Sequence, residues 1–429
     1  MDYSRREFGK IALASVPGIV LLENNLIGAP LFQAKPNSKI NGVQVGTITY
    51  SFRSMPDQTA EATLKYIVDS GINAVELMNG PLNDWARKKG NYQASPAAAA
   101  AAAAGAGRAG GGGRGGGRGG GGAAGPGGDP TAGRGAAPTF APKAGMMTGP
   151  GNNQPAGQWN GDTCPAPRGG GGRGAAAPGA APDAPAAAAG AAAAPQGGGR
   201  GGGRGGPQTP EEIAAADAER KWRMSLSMDI FKDLRKMYND AGVSIYAVKD
   251  VRQGTDEDLD YTFTVARTLG ASHVTLELPA EGPNAAATFK RLGDWALKYK
   301  MYTAYHTHAQ GGMEVFDEAF ALSKGNHANV DFGHFVAGGN KGGTPLDFLQ
   351  KFHDRISSFH LKDRTTRDHC ELNLPWGNGE TPIKEILQMV KKNKWDIPAS
   401  IELEYSIPEG SDAVKEVKKC LEYCKAALA

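Results

Sequence analysis

Apolar positions follow two rhythms along this chain. Short runs rich in β-branched residues alternate with stretches in which apolar side chains return every three or four residues. These are the periods of a strand and of an amphipathic helix. The strand-like runs are VQVGTITYSF, INAVELM, VSIYAVKDV, HVTLELPA, MYTAYHTHA, ANVDFGHF, ISSFHLKD and ASIELEY. Between and after them lie helix-like stretches such as TAEATLKYIVDSG, DIFKDLRKMYNDAG, DLDYTFTVARTLGA, ATFKRLGDWALKYK, VFDEAFALSK, PLDFLQKFHD, PIKEILQMVKKNK and DAVKEVKKCLEYCKAAL. Several end in a glycine that suits a left-handed C-cap before the next strand. Eight strand–helix units of this spacing predict an α/β fold, a (β/α)8 TIM barrel, rather than an open doubly wound sheet. No GxGxxG follows the first strand, which argues against a dinucleotide fold.

One segment breaks both rhythms. Residues 94–207 are almost wholly Gly, Ala, Pro and scattered Arg. They offer little to bury and cannot offset the entropy of ordering their backbone, so a disordered insertion is expected between strand 2 and helix 2. The expected organisation is therefore a leader at 1–35, barrel strands 1 and 2 at 40–93, the insertion at 94–207, and strands 3 to 8 at 208–429. The insertion carries eight arginines and one lysine against three aspartates. The formal charge of the whole chain is +3, so the remainder is near −3. A mildly acidic folded part without a basic stripe predicts no nucleic-acid partner. The four cysteines contain no CxxC and suggest neither a disulfide framework nor a cysteine zinc site.

At the N-terminus, SRREFGK precedes the apolar run IALASVPGIVLL. A run of a dozen residues is short of the ~20 that span a bilayer. The stretch reads as an export signal, with no stable membrane span once it is removed. Its Arg5-Arg6 pair resembles the twin-arginine signal, which implies the twin-arginine export machinery as a partner and a periplasmic or secreted location.

Strand parity sorts the polar residues. Ile401 and Leu403 suit the helix-facing side, which turns Glu402 and Glu404 inward. The same reasoning turns His360, Asp331, His306 and His308, Glu277 and Glu76 inward, with His334 just past its strand. Strands 5 to 8 thus each place a ligand-type side chain at the mouth. Buried unpaired carboxylates are costly, and one divalent metal ion satisfies several together. Mixed imidazole and carboxylate donors favour Mn, Zn or Fe over Mg.

VDFGHF, FHLKDR and IELEY, in this order at the ends of strands 6, 7 and 8, resemble the sugar phosphate isomerase/epimerase family with its xylose isomerase-like barrel. The resemblance implies a metal held by a residue on each of strands 5 to 8: here His306, Asp331, His360 and Glu402. The family's strand 5 residue is a glutamate, so His306 is a departure. It implies a small carbohydrate substrate held by His334, His308, Lys362, Arg364, Glu76 and Trp376 of the PWGNGETP turn. It also implies catalysis by proton transfer beside a carbonyl, with Glu402 and His306 as catalytic residues. A metal-dependent lyase, dehydratase or hydrolase on the same barrel is the alternative. An abasic-site nuclease is disfavoured because strands 2 and 3 lack histidines, and a binding protein with a degenerate site is disfavoured by the intact Asp, His and Glu set. The metal's identity, the substrate and the oligomeric state are not legible.

Overall fold

The computed structural model describes residues 35–93 and 210–429. The leader and the expected disordered insertion lie outside the described residues, apart from Lys35. Among the described residues, eight parallel strands close into a barrel: β1 (Val43–Ile48), β2 (Ala74–Met78), β3 (Ser244–Lys249), β4 (His273–Glu277), β5 (Tyr302–His306), β6 (Asn326–Asp331), β7 (Ile356–Leu361) and β8 (Ala399–Ile401). Each pairs with its neighbour in sequence, and β8 pairs with β1 to complete the ring. A two-residue strand, Lys39–Ile40, folds back antiparallel on β1.

The helices are α1 (Ala60–Asp69), α2 (Asn79–Lys89), α3 (Pro210–Met224), α4 (Asp229–Asp240), α5 (Asp256–Leu269), α6 (Pro283–Lys298), α7 (Asp317–Leu322), α8 (Phe332–Ala337), α9 (Pro345–Phe352), α10 (Ile383–Asn393) and α11 (Ala413–Leu428). Their starts are written in the sequence. Thr255 and Thr344 head capping boxes with Asp258 and Asp347, satisfying backbone donors that would otherwise point at nothing. Gly71, Gly242 and Gly270 take positive φ behind their helices, as their turn sequences predict. Phe231, Leu234, Phe263, Leu292, Phe348, Ile386 and Val417 pack the helix layer onto the outer face of the barrel.

One strand boundary needs correction. The strand in ANVDFGHF was expected to end just before His334, but β6 stops at Asp331 and helix α8 begins at Phe332. A short apolar run fits either period, and here Asp331 decides: its carboxylate accepts from His334 N at 2.7 Å and caps the helix. The insertion falls, as expected, between β2 and α4, with the additional helices α2 before it and α3 after it. Cys370 is disulfide-bonded, and Cys420 and Cys424 are free and buried.

The barrel interior is polar rather than filled with branched aliphatics. Near its base His273 Nε2 lies 2.9 Å from Ser358 Oγ. Above it Asn329 Nδ2 donates to Ser358 Oγ at 2.7 Å, and Thr275 Oγ1 donates to Glu76 at 2.6 Å. These bonds make a connected floor under the strand ends.

Two predictions follow from this packing. His327 is buried beside Ser357 and under the ring of Tyr302, and burial lowers its pKa to about 3. It is neutral in the fold and titrates near 6.5 when unfolded. Its contribution is therefore whole above pH 6.5 and shrinks as the pH falls toward 3. Urea unfolding should show wild type losing more stability between pH 6.5 and 5 than His327→Gln, by up to about 1.4 kcal/mol per pH unit. An equal slope in the two proteins would refute the neutral state. Gly333 stands where an added Cβ would strike the Lys362 carbonyl and the stems of Lys362 and Arg364. Gly333→Ala should cost about 1–3 kcal/mol through overpacking, read as a lowered thermal midpoint.

Candidate functional site: a strand-end cluster

Strand register raises the inward residues to one height. Across β6 and β7 Asp331 pairs with His360, and across β7 and β8 His360 pairs with Ser400. His306 ends β5, Asp331 ends β6, and Glu402 follows β8 directly. The result is a group of one ligand atom each from His306, Asp331, His360 and Glu402, all within 4.8 Å of one another. All four residues are buried, the most open being Glu402 at 5% exposure. The four expected metal residues are therefore brought together.

Their protonation is set by their neighbours. His306 Nδ1 lies 3.0 Å from Asn329 Oδ1, whose amide nitrogen is committed to Ser358. That carbonyl oxygen only accepts, so the proton sits on Nδ1 and Nε2 keeps its lone pair. Burial, with Lys249 and His360 nearby, holds the His306 pKa well below the usual range and keeps the ring neutral. This is the state in which an imidazole ligates.

His360 is held differently. Its Nδ1 lies 3.0 Å from Glu402 Oε2 and its Nε2 2.8 Å from Glu76 Oε2. Burial opposes its charge, but the two carboxylates win and raise its pKa to about 10. Glu76 in turn resists its own burial and is held at about 2 by His360. Burial likewise works against the Glu402 charge, yet Lys362 and His360 keep its carboxyl well below the ordinary range. Asp331 goes the other way, raised to about 6 chiefly by burial.

Glu76 was expected to bind substrate. It is fully buried beneath His360, where it fixes the ring as an outer carboxylate fixes a metal-ligating histidine. Trp376 is also not brought to the cluster. It packs edge-on against Tyr423 of α11, with ring centroids 5.8 Å apart, in the helix layer. The loop that carries it is pinned by Asp363, whose Oδ2 accepts from Gly377 N, Asn378 N and Gly379 N at 2.8–3.0 Å.

The remaining expected residues line the mouth. Lys362 Nζ lies 3.0 Å from Asp331 Oδ2 and 2.7 Å from both Glu402 Oε2 and Glu404 Oε2. Arg364 donates to His334 Nδ1 at 2.6 Å and to the Glu371 carbonyl at 2.5 Å, and has no ion pair among the described residues. The first of these bonds leaves the His334 proton on Nε2, a buried atom without a hydrogen-bond partner. The His334 ring stands 4.7 Å from that of His308, centroid to centroid. His308 is half-exposed, and its Nε2 lies 2.8 Å from Glu277 Oε2, while Glu277 Oε1 is bridged to Lys249 at 2.8 Å. That contact with Glu277 raises the His308 pKa.

Sequence reasoning missed Asn329, and it turned Glu404 inward without pairing it to Lys362. Parity contained both signals, since Asn329 is two before Asp331 and Glu404 two after Glu402 on the same side.

The donor set fits a divalent metal ion. Asp331 Oδ2 is buried and accepts no aligned hydrogen bond, His306 offers a free lone pair, and two carboxylates and two imidazoles converge.

A family model described as "Xylose isomerase-like TIM barrel" matches residues 219–426. No curated protein matches the chain. Solved structures similar to it include a sugar phosphate isomerase/epimerase from Parabacteroides distasonis ATCC 8503, at 19% identity over 46% of this chain and 77% of that one, with a TM-score of 0.38. A xylose isomerase domain protein from Planctomyces limnophilus is 14% identical over 47% of this chain and 82% of its own, with a TM-score of 0.38. A D-tagatose 3-epimerase-like protein is 17% identical over 47% and 84%, with a TM-score of 0.36. The closed eight-stranded barrel makes the described part of this chain a TIM barrel, and its residues 219–426 are similar to the xylose isomerase-like TIM barrel family.

Proposed function

We propose that this protein is a metal-dependent isomerase or epimerase acting on a carbohydrate or polyol, exported by the twin-arginine route. The observation that carries the reading is the convergence of His306, Asp331, His360 and Glu402, buried at the ends of four consecutive strands. Those four residues would hold the ion, and Mn, Zn or Fe suits their imidazoles better than Mg. The ion would supply Lewis-acid polarisation of a carbonyl and its neighbouring hydroxyl.

The chain's own groups divide the remaining work. Glu402 is the proton-transfer residue, because it is the carboxylate of the set that stays ionised and sits at the open side of β8. His306 is a ligand rather than the base, since its Nδ1 proton is tied to Asn329 and its basicity is low. His334 Nε2–H is a buried donor with no hydrogen-bond partner, 3.8 Å from Glu404 Oε2, and it would hold a substrate oxygen. Arg364 keeps His334 in that tautomer. His308, beside His334 and held by Glu277, lines the same part of the mouth. A strand 5 imidazole in place of a carboxylate makes the metal environment one charge more positive, so a single carboxylate base fits this site better than a matched carboxylate pair.

The test is a screen of keto- and aldo-sugars in D2O. Wild type should incorporate deuterium beside the carbonyl and conserve substrate mass. Glu402→Gln should lose about 10²–10⁴-fold in turnover, the range of general acid–base catalysis, while His306→Gln should lose metal first. A change of product mass would instead indicate elimination or hydrolysis. Full turnover in metal-loaded Glu402→Gln would exclude Glu402 as the base.

A further inference from the structure

Lys362 is a buried charge that the proposed proton transfer does not use. It lies one residue past β7 and two past His360, so its stem points into the same interior. Its side chain is only 3% exposed. Three carboxylate oxygens lie within 3.0 Å of its ammonium: Asp331 Oδ2, Glu402 Oε2 and Glu404 Oε2. Two of these residues belong to the four-donor cluster, and Glu404 does not.

That division has a physical consequence. Like charges a few ångströms apart in a buried site repel strongly. The ammonium and a divalent ion therefore compete for Asp331 and Glu402. Glu404 offers the ammonium a partner at 2.7 Å that the ion does not need. Gly333 leaves the space in which the Lys362 stem lies, since a Cβ there would strike its Cγ.

We propose that Lys362 is a tethered counter-cation, which neutralises Asp331 and Glu402 in the metal-free protein and retreats onto Glu404 when those carboxylates take a divalent ion. In this role Lys362 is a positioning residue. It keeps the strand-end carboxylates paired in the empty barrel, so the fold does not depend on metal. It also sets the metal affinity below what the four donors alone would give. The inference rests on the metal site of the proposed function but not on its reaction.

The test uses the full chain, stripped with chelator and titrated with MnCl2 by calorimetry. Thermal unfolding is followed with and without excess Mn²⁺. Lys362→Met should bind Mn²⁺ about tenfold or more tightly than wild type, the scale of outer-shell effects on metal sites. Its stripped form should melt below stripped wild type, and Mn²⁺ should close that gap. Glu404→Gln, which removes the ammonium's retreat, should bind Mn²⁺ about tenfold more weakly. A Lys362→Met protein that folds only with Mn²⁺ present also supports the proposal. Equal or weaker Mn²⁺ binding by Lys362→Met overturns it, because a merely structural ion pair would not tighten the site when removed. Unchanged binding by Glu404→Gln overturns the role given to Glu404. If wild type binds no Mn²⁺, the metal site falls and the inference falls with it. Binding without any change in Lys362→Met removes the inference alone.

Discussion

The chain of contacts Glu76–His360–Glu402 is the interaction around which the barrel mouth is arranged. It places an imidazolium between two carboxylates in a space closed to water. Such a chain is stable only while each charge keeps a partner, because a lone buried charge costs several kcal/mol. The polar floor beneath it, from Thr275 through Asn329 to Ser358 and His273, satisfies the lower oxygens and fixes the rings. Lys362 completes the neutralisation from above. A barrel filled with Val, Ile and Leu would be easier to fold but would have no use for charges at this depth.

The same arrangement makes two histidines behave in opposite ways. His306 and His360 are both buried, and their rings lie 4.6 Å apart. Burial, with Lys249 nearby, keeps His306 neutral, and its bond to the Asn329 amide leaves the other nitrogen free. His360 faces carboxylates on both sides, so it is charged. A metal ion at the cluster needs the proton of His360 Nδ1 to leave and Glu76 to keep holding Nε2. Sequence position alone cannot separate these roles, since each is a histidine late in a strand.

Much of this was legible in the sequence. Alternation of β-branched runs with helical periods located all eight strands, and parity turned the right side chains inward. The resemblance at VDFGHF, FHLKDR and IELEY matched the residues that the fold brings together. What parity lacks is depth. It assigns Glu76 to the interior but does not say that His360 caps it, which is why a substrate role was expected. It is also blind to contacts made across the helix layer, such as that between Trp376 and Tyr423. The misread end of β6 has a local cause. Phe332 to Ala337 are all buried, so no polar face announces a helix, and only the capping carboxylate of Asp331 marks the change.

One residue therefore serves three ends. Asp331 finishes a strand, caps a helix and offers an oxygen to the cluster. The central claim is that this cluster exists to hold a divalent ion. Its most direct test is elemental analysis of purified protein after stripping and reconstitution, set beside Asp331→Asn. About one ion of Mn, Zn or Fe per wild-type chain, and markedly less in Asp331→Asn, is the predicted result. No bound ion in reconstituted wild type, or equal content in both proteins, would contradict it.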